Sequence, residues 1–332
     1  MNLVVFLSVV ILSYDPAPGQ FINILPAVTD NPVTAAQNAL DRGMLVSLGA
    51  AGGSLTAAFS SPVANTHDYD IAIFGNAFAA SAEPGIVYVS KDINHNNLPD
   101  DPWYEIAGSE YANTIHNYTI TYYRPANDTS NIAYEDSEGN TGYVFHNTFH
   151  SQPYFPSWHS TDQLTFYGSL LPSNATTEGE TIVFSPFDYG YADNKSNSDT
   201  QGCSIKIDWS VDSLGNPANL DTIHFIRIQT GVLFTNSLQT GEQSTEISAI
   251  NIIQTPQSLD QISADTSEPV FTCSEIIFKS PLTSPAEIYT ISGQYLTTIP
   301  LGTECYPIFN LPRNAIFLLR TNLNTYRFST GN

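Results

Sequence analysis

Ten Lys and Arg against 32 Asp and Glu give this 332-residue chain a formal charge of −22. That balance excludes nucleic acid and anionic lipid surfaces as partners, since both need a basic surface that displaces counterions. With 42% hydrophobic and 13% charged residues the composition is that of a folded globular protein, and the length suggests about two domains.

Residues 3–12 read Leu-Val-Val-Phe-Leu-Ser-Val-Val-Ile-Leu, an apolar run too short to span a bilayer. Residues 1–13 read as a signal peptide and so as a mark of export. The run equally suits a buried strand, because no Lys or Arg precedes it and the first basic residue is Arg42. No other segment is long and apolar enough to be transmembrane.

From Phe21 to about residue 255 the text is strand-like. Short apolar or alternating runs stand at 45–48, 54–59, 70–74, 86–90, 118–123, 181–184, 204–209, 223–229 and 247–254, separated by Gly, Pro and Asn turns. Many short strands with turns between them predict an all-β sandwich or barrel. One stretch, 34–41, has a helical pattern.

Within this text lies Asp92-Ile93-Asn94-His95-Asn96-Asn97-Leu98-Pro99-Asp100-Asp101. Asp92, Asn94 and Asn96 alternate as side-chain oxygen donors, the Leu98 carbonyl follows, and Asp100 and Asp101 close the run. Such spacing wraps hard oxygen ligands round one calcium ion. It is not an EF-hand: Trp103 stands where a bidentate Glu belongs, and no helix flanks the loop. An Asx-rich turn between strands without an ion is the other reading. Asp70, Glu83 and Glu246 form a second acidic set, read either as a second cation site or as caps on strand ends.

Three segments carry a family resemblance. The first runs from Gly52-Gly53-Ser54-Leu55 to Asp70-Ile71-Ala72-Ile73-Phe74-Gly75-Asn76-Ala77-Phe78. The second is Glu83-Pro84-Gly85-Ile86-Val87-Tyr88-Val89-Ser90 with Trp103-Tyr104-Glu105-Ile106-Ala107-Gly108-Ser109. The third is Ile223-His224-Phe225-Ile226-Arg227-Ile228 with Gly241-Glu242-Gln243-Ser244-Thr245-Glu246-Ile247. Together they resemble a family of bacterial cell-surface proteins that look like divergent relatives of the discoidin-like, galactose-binding jelly rolls. The resemblance covers residues 20–254. It implies a jelly-roll β-sandwich over 20–255, calcium at the Asp92 loop and ligand binding by surface loops.

Residues 109–194 read as an aromatic-rich insertion in that sandwich. Its densest part is Phe149-His150-Ser151-Gln152-Pro153-Tyr154-Phe155-Pro156-Ser157-Trp158-His159, a loop because prolines break it. Phe149, Tyr154, Phe155 and Trp158 could form a stacking platform for a sugar or another flat ligand, with His150, Gln152 and His159 fixing its orientation. The alternative is that a long insertion needs a small core of its own.

Residues 256–268 have the polar composition of a linker, and a second strand-rich segment, 269–332, follows. Its Ile291-Ser292-Gly293-Gln294, Leu311-Pro312-Arg313-Asn314-Ala315-Ile316-Phe317-Leu318-Leu319-Arg320 and Tyr326-Arg327-Phe328 resemble the C-terminal sorting domain of the bacterial type IX secretion system. That resemblance implies a small β-sandwich read by the export machinery, and hence a protein secreted to, or attached at, the outer cell surface. Asn314-Ala315-Ile316-Phe317 departs from the usual Gly-x-Tyr of that family. Of the three cysteines, Cys273 and Cys305 could bridge, leaving Cys203 a lone buried thiol.

No GxSxG, HExxH or phosphate-binding loop occurs. The expected function is therefore binding, with a glycan as the leading ligand class. Capture of a corrinoid-like nutrient for an outer-membrane transporter is an alternative binding role. A glycoside hydrolase using Glu105, Glu110 or Asp162 is the catalytic alternative.

Overall fold

The computed structural model describes residues 9–179, 181–236, 241–253, 269–271, 275–290, 295–308, 310–312, 315–321 and 325–330. The chain divides into two compact units, Met1–Gln257 and Ser258–Asn332. The protein is all-β; among the described residues the ladders are antiparallel and one short α-helix occurs.

The first unit is a sandwich. Its larger sheet has six strands, in the order Val9–Asp15, Ser54–Ala64, Thr222–Thr230, Gly85–Ser90, Trp103–Ile106 and Ser210–Val211. Alternation sorts the side chains of these strands onto two faces. Val9, Ile11, Leu55, Ala57, Val87, Val89, Ile226 and Ile228 enter one core together with Ile71, Ile73, Ile205, Ile250 and Ile252. The last five belong to a three-stranded sheet, Ser204–Ile205, Ile71–Phe74 and Ala249–Ile252, which forms the other layer.

Helix Pro32–Leu40 adds Ala35, Ala36, Ala39 and Leu40 to this core. Its start is set locally: the Asn31 side chain accepts from the Thr34 amide at 2.9 Å, and Pro32 occupies the first turn, where a missing N–H costs nothing. The C-terminal part of the apolar run at 3–12 is also structural. Val9–Asp15 is the edge strand of the large sheet, paired with Ser54–Phe59, and its burial alternates from Val9 to Leu12.

The aromatic-rich segment folds into a further, four-stranded antiparallel sheet, in the order Gln163–Leu170, Ile115–Tyr123, Ile132–Asp136 and Thr141–Val144. Tyr118, Ile120, Tyr122, Ile132, Val144, Tyr154 and Phe155 form its core, into which the main sandwich contributes Ala17 and Ala50. Two glycines let this sheet sit close to the sandwich. A Cβ on Gly168 would meet the Gln229 side chain at 1.9 Å, and one on Gly52, at φ +92°, would meet Phe166 Cβ at 2.6 Å. Gln229 uses that space: its Nε2 donates to the carbonyls of Tyr167 (2.9 Å) and Gly52 (3.0 Å).

The second unit has its own core of Ile276, Phe278, Ala286, Ile288, Ile299, Ile308, Phe317, Leu319 and Phe328. A three-stranded and a four-stranded antiparallel sheet supply it. Cys305 is exposed there and donates through Sγ to Glu275 Oε2 at 2.9 Å. Cys273, the whole 256–268 linker and the Ser292-Gly293-Gln294 turn lie outside the described residues. In the first unit Cys203 is a buried free thiol. Among the described residues no helix is long and apolar enough to cross a membrane.

Candidate functional site

The face of the large sheet turned away from the core forms one wall of a cleft. In register across the sheet, Thr56 pairs with Arg227, Arg227 with Tyr88, Tyr88 with Glu105, and Glu105 with Val211. Cross-strand partners share a face, so this rung presents Thr56, Arg227, Tyr88 and Glu105 side by side. In the adjacent rung Phe225 pairs with Ser90 and Ser90 with Trp103. Ser90 is small, and the Arg227 guanidinium reaches across the strand that carries it to lie 4.3 Å from the centre of the Trp103 ring.

The inserted sheet supplies the opposite wall through His116, Tyr118, Tyr167 and Ser169, and the loop 211–215 closes one side. The enclosed volume is about 560 Å³, within the range of small-ligand sites. Tyr167 stands at its rim, 74% exposed.

Three polar side chains meet at the junction of the walls. Ser169 Oγ donates to Glu105 Oε2 at 2.7 Å, and His116 Nδ1 lies 3.5 Å from the same oxygen. His116 Nε2 is 3.2 Å from the Tyr111 carbonyl, which can only accept, so Nε2 carries the proton. Nδ1 then faces Glu105 and, at 3.4 Å, Ser169. Burial pushes the Glu105 carboxyl above the usual carboxylate range, partly offset by the Ser169 hydrogen bond and by His116. In the loop that closes one side, Asp212 is held below its ordinary value, chiefly by the Asn216 amide. Of the three carboxyl groups singled out for hydrolysis, Glu105 lines the cleft.

The Asp92 loop lies elsewhere on the unit. Asp92 is buried and its carboxylate accepts from the amides of Asn96 (3.1 Å) and Asn97 (3.0 Å). Asp101 accepts from the Ile93 amide at 2.9 Å, and Asn96 Oδ1 from Leu98 at 2.8 Å. Asn94 and Asn96 both aim their amino groups at Asp100. Among the described residues no three His, Cys, Asp or Glu groups converge as a ready-made metal centre. The donors are nonetheless hard oxygens, and a cation in the loop would require the two amides to turn their carbonyl oxygens inward.

The 149–159 segment divides. Tyr154 and Phe155 are buried, the His146 ring stacks on Tyr154, and Arg124 caps the Phe155 ring at 4.2 Å. Trp158 stacks on Tyr14, and the Gln152 side chain donates to the Gln20 carbonyl. His150 meets the edge of Phe21 and His159 lies beside Trp158, while Phe149 is 77% exposed. As arranged, Tyr154 and Phe155 are core residues, and the segment does not present its rings as one platform.

The second acidic set also separates. Asp70 caps a turn, accepting from Thr66 and from the Ile207 amide. Glu83 and Glu246 instead share a buried region with Asp193, which accepts from the amides of Asn76, Ala77 and Glu246. Glu242 lies nearby, buried, with Oε1 accepting from the Gln20 amide at 2.7 Å and Oε2 without a partner. No family model matches the sequence, and no curated protein matches it.

Proposed function

We propose that the first unit is a ligand-binding module and that its ligand, a saccharide, lies in the cleft between the outward sheet face and the inserted sheet. The observation that carries this reading is the rung Arg227–Tyr88–Glu105 beside Trp103, opposite His116, Tyr118 and Tyr167. Aromatic faces take the apolar side of a sugar ring, and the fixed polar groups between them take its hydroxyls. The discoidin-like resemblance agrees with this reading. The sorting-domain resemblance agrees with display at the outer cell surface, and so does the separate core of the second unit. Tyr167→Ala removes an exposed rim ring that supports little else. Binding on a glycan array should fall by about tenfold or more, with Tm unchanged within about 2 °C. Undiminished binding would remove the cleft from consideration.

Calcium is the proposed ion of the 92–101 loop, held by Asp92, Asn94, Asn96, Asp100, Asp101 and the Leu98 carbonyl. Asp92 caps two backbone amides and its loss would destabilise the loop with or without an ion. Asp100 touches only the Asn94 and Asn96 side chains, so Asp100→Asn is the cleaner test. At a hundredfold excess over Kd, calcium should raise stability by about 2.7 kcal/mol over a chelated sample. Asp100→Asn should abolish most of that rise; equal Tm values with calcium and with chelator would leave the loop a plain Asx turn.

One observation favours a second reading. Glu105 and Asp212 line the same cleft with their carboxyl pKa values pushed in opposite directions, the pattern of an acid and its partner in glycoside hydrolysis. Release of reducing sugar from a bound glycan, lost in Glu105→Gln, would establish the enzyme over the binder.

A further inference from the structure

We infer that the cleft takes an acidic saccharide, with one singly charged oxoanion (a uronate carboxylate or a sulfate ester) seated on Arg227. The inference rests on the cleft being the binding site and adds the ligand's charge to that reading.

Cations are scarce in this chain, ten against 32 acidic residues, and where they go is informative. Lys91 pairs with Asp221 at 2.6 Å and Lys206 with Asp68 at 3.5 Å. Arg124 donates to the carbonyls of Thr161 (3.0 Å) and His159 (2.5 Å). Arg227 is partly buried in the cleft wall, yet no carboxylate lies within ion-pair distance of it among the described residues. Its Nε donates to Thr56 Oγ1 at 3.2 Å, and the Trp103 ring supports its guanidinium. Among the described residues neither Nη group has a protein acceptor.

Neither Glu105 in the cleft wall nor Asp15 outside it pairs with Arg227. Tyr88 stands between Arg227 and Glu105 in the rung, and Glu105 is committed to Ser169 and His116. Asp15 acts on Arg227 only from beyond ion-pair range. Burial pulls the Arg227 pKa below its ordinary value, a desolvation that the charge of Asp15 offsets only in part. A guanidinium keeps its charge even so, and with Nε held by Thr56 its Nη1/Nη2 edge matches the paired oxygens of a carboxylate.

The number of charges follows from the same account. One cation balances one negative charge. A phosphate monoester, carrying nearly two, would add uncompensated charge to a cleft that also holds Glu105 and Asp212 in a chain of net charge −22. A neutral sugar can offer the Nη groups hydroxyl acceptors but no charge, and a hydrogen bond to a neutral acceptor contributes less than one to an oxoanion.

Calorimetric titration of the full chain with matched disaccharides, ending in glucuronate, in glucose 6-sulfate or in glucose, tests this. The charged sugars should bind about 10- to 100-fold tighter than the neutral one, the worth of a charged hydrogen bond. Which of the two binds tighter identifies the oxoanion. The preference should shrink with added salt and vanish in Arg227→Gln, while Arg227→Lys retains part of it. Equal affinities for charged and neutral sugars in the wild type would overturn the inference and leave the cleft reading intact. So would equal weakening of both by Arg227→Gln. If no saccharide binds, acetate and benzoate become the probes, read by the Arg227 Nε–H resonance. A shift would uphold the anion site and sink the sugar; no shift would sink both. Should Arg227→Gln fail to fold, the wild-type ratio of charged to neutral affinity decides alone.

Discussion

A chain truncated to begin at Tyr14 should fold poorly or melt about 10–20 °C below one that begins at Met1. The cut removes most of an edge strand whose Val9 and Ile11 are buried to 5% and 4% exposure in the main core. Two such side chains contribute roughly 3–6 kcal/mol through burial, and the ladder with Ala57–Phe59 goes with them. Net stability of a domain is only about 5–15 kcal/mol, so this is a large fraction. At this size each kcal/mol shifts Tm by roughly 2–4 °C. Point substitutions refine the test. Ile11→Ala should cost about 2–5 kcal/mol. Val10→Ser, on the outward face at 52% exposure, should change stability by less than about 0.5 kcal/mol. A truncated chain that melts with the full one would show that the segment is dispensable to the folded protein, as a removable leader would be.

The second large effect concerns pH. Burial pushes Asp193 from its ordinary 3.8 to about 7 and Glu242 from 4.5 to about 8, with smaller contributions from Glu246 on both. Glu83 and Glu246 are raised as well, burial again first. A carboxyl whose folded pKa is raised binds its proton more tightly folded than unfolded. Its contribution to stability is complete below the ordinary value and disappears as pH rises through the folded value. Between about pH 5 and 7 each such group lowers stability by up to ~1.4 kcal/mol per pH unit. Thermal melts in chelator should therefore show Tm falling steadily from pH 5 to 8.5. Glu242→Gln keeps an oxygen for the Gln20 amide and removes the charge, so it should melt above wild type at pH 8.5 and flatten the upper part of the curve. A Tm that climbs over this range, as ordinary ion-paired carboxylates would give, contradicts the assignment.

Much of the sandwich was legible because its strands obey a two-residue period. The runs at 54–59, 86–90 and 223–229 became central strands, and Asn31-Pro32 marks the start of the helix as a cap and a first-turn proline should. Other elements were hidden for physical reasons. Gln163–Leu170 and Ile132–Asp136 are polar enough to read as loop, and they are strands because Ile115–Tyr123 pairs with both. The 149–159 aromatics could be counted but not oriented. Tyr14, Phe21 and Asn23, which hold that segment down, stand more than 120 residues earlier.

The cleft shows the same division. Trp103, Glu105 and Arg227 all stand in segments that carry the family resemblance, but nothing in the sequence sets Arg227 apart from the isoleucines beside it as a cleft residue. Its outward direction was implicit in the alternation Phe225, Arg227, Gln229. Which residues it would meet depended on strand register, and register is a property of the pairing rather than of any one run.

The edge strand has another consequence. A six-stranded sheet offers a bare row of peptide groups along its first strand, an open invitation to a strand from a neighbouring molecule. Here the Gln37 side chain answers it: its Oε1 accepts from the Ile11 amide at 2.7 Å and its Nε2 donates to the Val9 carbonyl at 3.2 Å. One carboxamide on the helix imitates the peptide unit of an absent seventh strand, so this edge leaves a neighbouring copy fewer free peptide groups to pair with.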